Sequence, residues 1–165
     1  FPVIEYYEKL GFDFTKEQFP IPEFLEYYKN KFEECCLHKD AELVLKKISE
    51  SGLTQSVLSA GKQSSLINWV KYHNIEFLFD QIIGVNNDKA SGKIDAGKNW
   101  LKSSRIIPEQ TLLLGDTIHD NEVAEALGFK CVLTDIGHVS TDRLKSTGKT
   151  VISGLVNIIK YLNID

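Results

Sequence analysis

A chain of 165 residues, 42% hydrophobic and 25% charged, has the makeup of one globular domain with a sizeable core. A formal charge of −4 without long Lys/Arg runs argues against a nucleic-acid surface, and no apolar stretch reaches membrane-spanning length. The three cysteines form no disulfide framework: Cys35 and Cys36 are adjacent on a predicted helix and Cys131 lies in an apolar strand, so they read as reduced core thiols of a cytoplasmic protein.

The chain opens Phe1-Pro2 and contains no Met, so residue 1 does not read as a translation start and the chain reads as a fragment. Val3, Tyr6, Tyr7 and Leu10 fall at helical spacing, with Pro2 suited to a first turn. Asp13, flanked by Phe12 and Phe14, suits a turn between helices. Residues 21–36 carry Phe24, Tyr27, Tyr28 and Phe32 on a helix whose Tyr-rich face is expected to pack as core. Ala41, Val44, Leu45 and Ile48 define a helix ended by Ser51-Gly52. Strands near 54–58, 81–85, 111–114 and 130–133 then alternate with helices near 63–73, 94–103 and 120–127, which is the grammar of βαβ units and an α/β fold. A last strand at Thr150-Val151-Ile152 leads into Ser153, an N-cap candidate, and a helix with Leu155, Ile158, Ile159 and Leu162 on one face.

Three strand ends carry chemistry. Gly115-Asp116-Thr117-Ile118-His119-Asp120 follows the apolar run 111–114, so two carboxylates sit at the carboxyl end of a buried strand, where α/β sheets place their sites. Four residues apart across a strand-to-helix turn, Asp116 and Asp120 can point oxygens at one hard cation such as Mg²⁺. The competing reading makes Asp116 a helix cap and Asp120 a solvated first-turn acid. Upstream, Val57-Leu58-Ser59-Ala60-Gly61 is a strand ending in a hydroxyl and small residues. There Ser59 can donate to a phosphoryl oxygen, with the N–H groups of Ala60 and Gly61 at the helix start forming an anion nest; Ser and Gly are also ordinary turn residues. Between the two, Lys93 stands near a helix N-terminus, unfavourable for the dipole unless it meets an anion or solvent, with Lys89 and Lys98 as competitors. His38, His73 and His138 make no metal-ligand spacing.

The order Ser59, Ser91-Gly92-Lys93, Gly115-Asp116 to Asp120, each at the end of a predicted strand, resembles the second, third and fourth motifs of the haloacid dehalogenase-like phosphatases. The resemblance covers the whole chain and is closest to the phosphoglycolate phosphatase-like branch, including the flanks Leu127-Gly128-Phe129-Lys130-Cys131 and Gly137-His138. It implies a doubly wound parallel sheet with a Rossmann-like core at 38–165 and a partial helical cap at 1–37. The first motif of that family, Asp-x-Asp-Gly-Thr, is absent before Ser59, so the resemblance implies an N-terminally truncated chain, inactive as given. The missing strand would lie between the Ser59 and Gly115 strands, so a preceding segment or another chain is expected to complete the sheet.

By the same resemblance the activity is two-step hydrolysis of a small phosphomonoester through an aspartyl-phosphate, with the nucleophile in the absent motif. Asp116 would bind Mg²⁺, Asp120 would be a second ligand or orient a metal-bound water, and Ser59 and Lys93 would position the phosphoryl oxygens. Thr117 and His119 are expected in supporting positions; His119, set between two acids, is the acid–base candidate, with a supporting hydrogen bond as its default role. The partner is then a small phosphorylated metabolite rather than nucleic acid or membrane. Sugar phosphomutase and phosphonatase chemistry use the same framework. A non-catalytic phosphoryl-binding or regulatory domain, or a cap serving as a protein-interaction surface, are the readings from other classes.

Overall fold

The computed structural model describes residues 3–86 and 92–164. The first helices, α1 (Val3–Lys9) and α2 (Pro22–Lys31), are joined by a turn in which Asp13 Oδ1 accepts hydrogen bonds from the N–H and hydroxyl of Thr15. Ring contacts of 5.0–5.5 Å between Tyr7 and Phe12, Tyr7 and Phe24, and Phe14 and Phe19 hold this unit together. The Tyr-rich face does not pack as core: Tyr27 and Tyr28 are 64% and 69% exposed, and α2 buries no residue. The helix expected over 21–36 also stops at Lys31, followed by one 3₁₀ turn at Phe32–Glu34. Cys35 and Cys36 therefore lie beyond it in irregular chain and are exposed, which corrects their reading as core thiols on a helix; Cys131 is half-buried.

From α3 (Ala41–Glu50) onward, strands and helices alternate. β1 (Ser56–Lys62) pairs in parallel with β2 (Gln81–Val85), with α4 (Gln63–Tyr72) between them. α5 (Lys93–Ser103) leads to β3 (Leu112–Gly115), then α6 (Ile118–Leu127), β4 (Lys130–Thr134), α7 (Thr141–Lys145), β5 (Thr150–Ile152) and α8 (Asn157–Leu162). β3, β4 and β5 form a parallel sheet, with Leu113 opposite Cys131 and Leu133 opposite Val151. Side chains on β3 alternate as a twofold repeat requires. Leu112 and Leu114 join the cluster of Val44, Val132, Ile152 and Ile158, while Leu113 joins Val123, Ala124, Leu127 and Phe129. Helices therefore cover both faces, α3 and α8 on one and α6 on the other, as a doubly wound sheet demands.

Three details depart from the periodicity reading. α7 was not expected because its five residues bury one apolar side chain, Leu144, too little for a repeat to register. Ser153 does not cap the last helix, which begins at Asn157; the Asn157 side-chain N–H donates back to the Ser153 carbonyl instead. β1 runs four residues beyond its expected end at 58, because Gln63 fastens it to β2. The Gln63 side chain accepts from the Gly84 N–H and donates to the Ile82 carbonyl at 2.8 Å, standing in for ladder bonds across the register shift after Leu58. Gly84 permits this approach, since a Cβ there would meet the Gly61 carbonyl oxygen at 2.7 Å.

Among the described residues the strands fall into two sheets, β1-β2 and β3-β4-β5. β1 and β3 share no ladder and instead line a common cavity of about 460 Å³, through Ser56, Val57 and Leu58 on one side and Leu112, Leu113 and Leu114 on the other. α5 bridges the two halves. Its buried Gly97 lets α5 press onto α6 and β1, because a Cβ there would stand 2.6 Å from a Leu127 methyl and 3.2 Å from a Leu58 methyl.

Candidate active site

β3 is a fully apolar run that ends on a buried glycine. A Cβ on Gly115 would sit 2.2 Å from the Asp120 Cβ, so only glycine lets the first turn of α6 fold back over the strand end. Thr117 is the N-cap of α6: its hydroxyl accepts from the Asp120 N–H at 3.2 Å and donates to Asp120 Oδ2 at 2.7 Å, and the same carboxylate oxygen accepts from the Thr117 N–H at 3.0 Å. This reciprocal arrangement is a capping box. Asp120 Oδ2 also accepts from the Asp116 N–H at 3.1 Å, so one oxygen holds the whole turn.

The other oxygen of Asp120 is paired with Lys93, the first residue of α5; the Asp120 side chain is buried at 7% exposure and the Lys93 side chain is partly buried at 14%. Burial alone would raise the Asp120 carboxyl; the Lys93 charge and the hydrogen bonds from Lys93, Thr117 and the Asp116 N–H outweigh it and hold the group below the ordinary carboxylate range. Asp120 is thus neither a solvated first-turn acid nor a carboxylate with free oxygens. Asp116 is the reverse case. Its half-buried side chain makes no hydrogen bond or ion pair with a described residue, and its Oδ2 lies 2.0 Å from where a Cβ on Gly137 would stand. The loop after β4 thereby leaves a notch that admits the Asp116 carboxylate.

The other expected residues are placed as follows. Ser59 lies within β1, not at its end, and its hydroxyl accepts from the Gly61 N–H at 3.0 Å. That bond occupies one of the two amides assigned to an anion nest, and α4 starts only at Gln63, so the nest at Ala60-Gly61 is not formed as expected. Leu58 within β1, Lys93 at the start of α5 and Leu114 of β3 line the same cavity. Lys98 is exposed, and Lys89 and Ser91 lie outside the described residues. His119 turns toward Glu122, its Nδ1 2.8 Å from the Glu122 carboxylate, and away from both aspartates' hydrogen bonds. Gln63 and Gly137 were not recognised as site-shaping residues; both act through partners distant in sequence. Thr117-x-x-Asp120 did carry a local signal, the spacing of a capping box.

The residues suit Mg²⁺ in kind. The free hard oxygen of Asp116 sits in its glycine notch, and no group of three His, Cys, Asp or Glu side chains gathers among the described residues. A hard carboxylate oxygen of this kind is the donor type that Mg²⁺ takes.

The sequence profile of the haloacid dehalogenase-like hydrolases matches residues 1–134. The chain belongs to that family. Solved haloacid dehalogenase-like relatives share the fold. A structure described as a predicted phosphatase from Clostridium acetobutylicum superposes with a TM-score of 0.86 at 20% identity, covering 96% of this chain and 75% of that one. The haloacid dehalogenase-like protein SP0104 from Streptococcus pneumoniae superposes at 0.76 with 23% identity, covering 84% and 66%. In sequence, the tyrosine-protein kinase PtkA of Mycobacterium tuberculosis is 26% identical over 116 residues, 70% of this chain and 40% of the relative. The chain therefore spans about two-fifths of the length of that curated relative.

The division of labour between the two aspartates predicts opposite responses to mutation. Asp120→Ala leaves the partly buried Lys93 ammonium without its carboxylate and unfastens the α6 turn, and should destabilise the full-length protein by about 2–4 kcal/mol. Asp116→Asn should change stability by no more than about 0.5 kcal/mol. Urea denaturation of the two variants measures both, and equal losses would show that the aspartates share one structural role.

Proposed function

We propose that the protein is a Mg²⁺-dependent phosphatase acting on a small phosphomonoester of the phosphoglycolate type, through an aspartyl-phosphate whose nucleophile lies outside these 165 residues. The observation that carries the reading is the unpaired Asp116 carboxylate beside the buried Lys93–Asp120 pair at the carboxyl end of β3. In this reading Asp116 is the direct metal ligand, and Asp120 orients the turn that presents it. What the metal supplies when bound is positive charge against the phosphoryl oxygens. Lys93 has three N–H donors, so after pairing with Asp120 it keeps two for a phosphoryl group. Ser59 accepts from the Gly61 amide, which leaves its own O–H to donate toward the same group. Phosphoryl transfer depends chiefly on such positioning and charge. The names carried by the relatives, phosphatase and tyrosine-protein kinase, both describe phosphoryl chemistry, which supports this class.

The sheet itself supports a further strand between β1 and β3, supplied by a preceding segment or another chain. Two polar atoms bordering the cavity, Gln55 Oε1 and Trp100 Nε1, are buried without partners among the described residues, one needing a donor and the other an acceptor. An extended main chain offers both, and each group left unpaired costs about 1–3 kcal/mol. Division at 37/38 into a cap and a core belongs to the same reading. We place the protein in the cytoplasm, where stable structural disulfides are rare, in keeping with three unbridged cysteines. No helix among the described residues is long and apolar enough to cross a membrane.

In the full-length protein, Asp116→Asn should lower Mg²⁺-dependent hydrolysis of p-nitrophenyl phosphate on the order of 100-fold or more; unchanged turnover at saturating Mg²⁺ would remove Asp116 from the metal site. The 165-residue chain alone should hydrolyse none in the same assay. Robust turnover by it would overturn the external nucleophile.

A further inference from the structure

Between the helical N-terminal unit and the α/β part runs a short link held at both ends by the same helix. On one side the Phe32 ring lies 4.8 Å from the Tyr72 ring, and the Tyr72 hydroxyl donates to the Glu33 carbonyl at 3.1 Å, fixing the 3₁₀ turn to α4. On the other side Leu37 packs against Val70, Ile75 and Leu78. The link between these anchors contains two adjacent, exposed, unbridged thiols, Cys35 and Cys36. Cys35 has an extended backbone, φ −81° and ψ 116°, and its Sγ lies 3.6 Å from the Lys31 carbonyl. The third thiol does not compete. Cys131 is half-buried in β4, and burial pushes it up to about 11, so little thiolate is present near neutral pH.

We propose that Cys35 and Cys36 are a reversible oxidation site that closes to a vicinal disulfide and resets the link between the two anchors. The oxidant is a small disulfide of the glutathione class. One cysteine thiolate attacks it, forming a mixed disulfide and releasing one small thiol; the neighbouring thiolate then displaces the second. The two protein thiols lose two protons and two electrons, and the oxidant is reduced to two thiols. Neighbouring Cα atoms are only about 3.8 Å apart, less than the roughly 4.4–6.8 Å of ordinary disulfides. The extended chain at Cys35 must bend to close the ring, and an exposed, strained bridge of this kind is labile to reduction. Since Phe32 and Leu37 are both anchored, the bend has no slack to absorb it and acts on the Tyr72–Glu33 hydrogen bond.

Trypsin cuts after Lys31 and Lys39, so both thiols fall in one peptide, 32–39, separate from Cys131. After the reduced full-length protein is treated with oxidised glutathione, that peptide should lose two hydrogens in mass without adduct, and dithiothreitol should restore it. Cys36→Ser should instead retain glutathione on Cys35. Amide hydrogen exchange over 31–38 should rise severalfold on oxidation while β3 and β4 stay unchanged. A wild-type peptide carrying only glutathione adducts, a disulfide between molecules, or unchanged exchange at the link would each overturn the proposal.

Discussion

Lys93 and Asp120 stand 27 positions apart in the chain, on the first turns of different helices, and form a buried ion pair. Much else in the site depends on that contact. A carboxylate that has lost its water needs its charge met on every side, and Asp120 draws in the Lys93 ammonium on one oxygen and three donors from residues 116 and 117 on the other. The strand-to-helix turn is thereby fixed, and Asp116 is left as the carboxylate with nothing to bind within the described protein. α5 is drawn toward α6 by the same pair, and Gly97 allows the two helices to close over Leu127. Pre-organisation of the turn and packing of the helices are two effects of one interaction.

The seam between β1 and β3 is the second organising feature. Among the described residues β1 pairs only with β2 and β3 only with β4, and Leu58, Leu114 and Lys93 line the cavity between the two sheets. Lys93 borders the same cavity as the Gln55 and Trp100 atoms that lack a partner among the described residues. In the proposed reading, a strand that fills this seam would complete the sheet beside Lys93.

Much of this was legible in the amino-acid sequence, for identifiable reasons. The strands at 81–85, 112–115, 130–134 and 150–152 are short apolar runs bounded by polar turns, and buried parallel strands announce themselves that way. The paired aspartates were visible because a strand end followed by a helix start concentrates chemistry. What differs between them was not visible, because it is decided by Lys93 and Gly137, which no local spacing connects to residues 116–120. The end of β1 was misplaced for a similar reason: Gln63 replaces ladder bonds with its side chain, an arrangement without a periodic signature. Tyr27 and Tyr28 were assigned to a core that α2 does not have, since aromatic content alone does not say which face another element covers.

The central claim is that Lys93 and Asp120 are energetically coupled and that this coupling sets the turn. A double-mutant cycle built from Lys93→Met, Asp120→Asn and the double variant in the full-length protein, read by urea denaturation, measures it directly. The account predicts a coupling free energy of about 1–3 kcal/mol, with the double variant less damaged than the sum of the single ones. Additive losses, with coupling near zero, would mean that the pair organises nothing and that the separation of roles between Asp116 and Asp120 has some other origin.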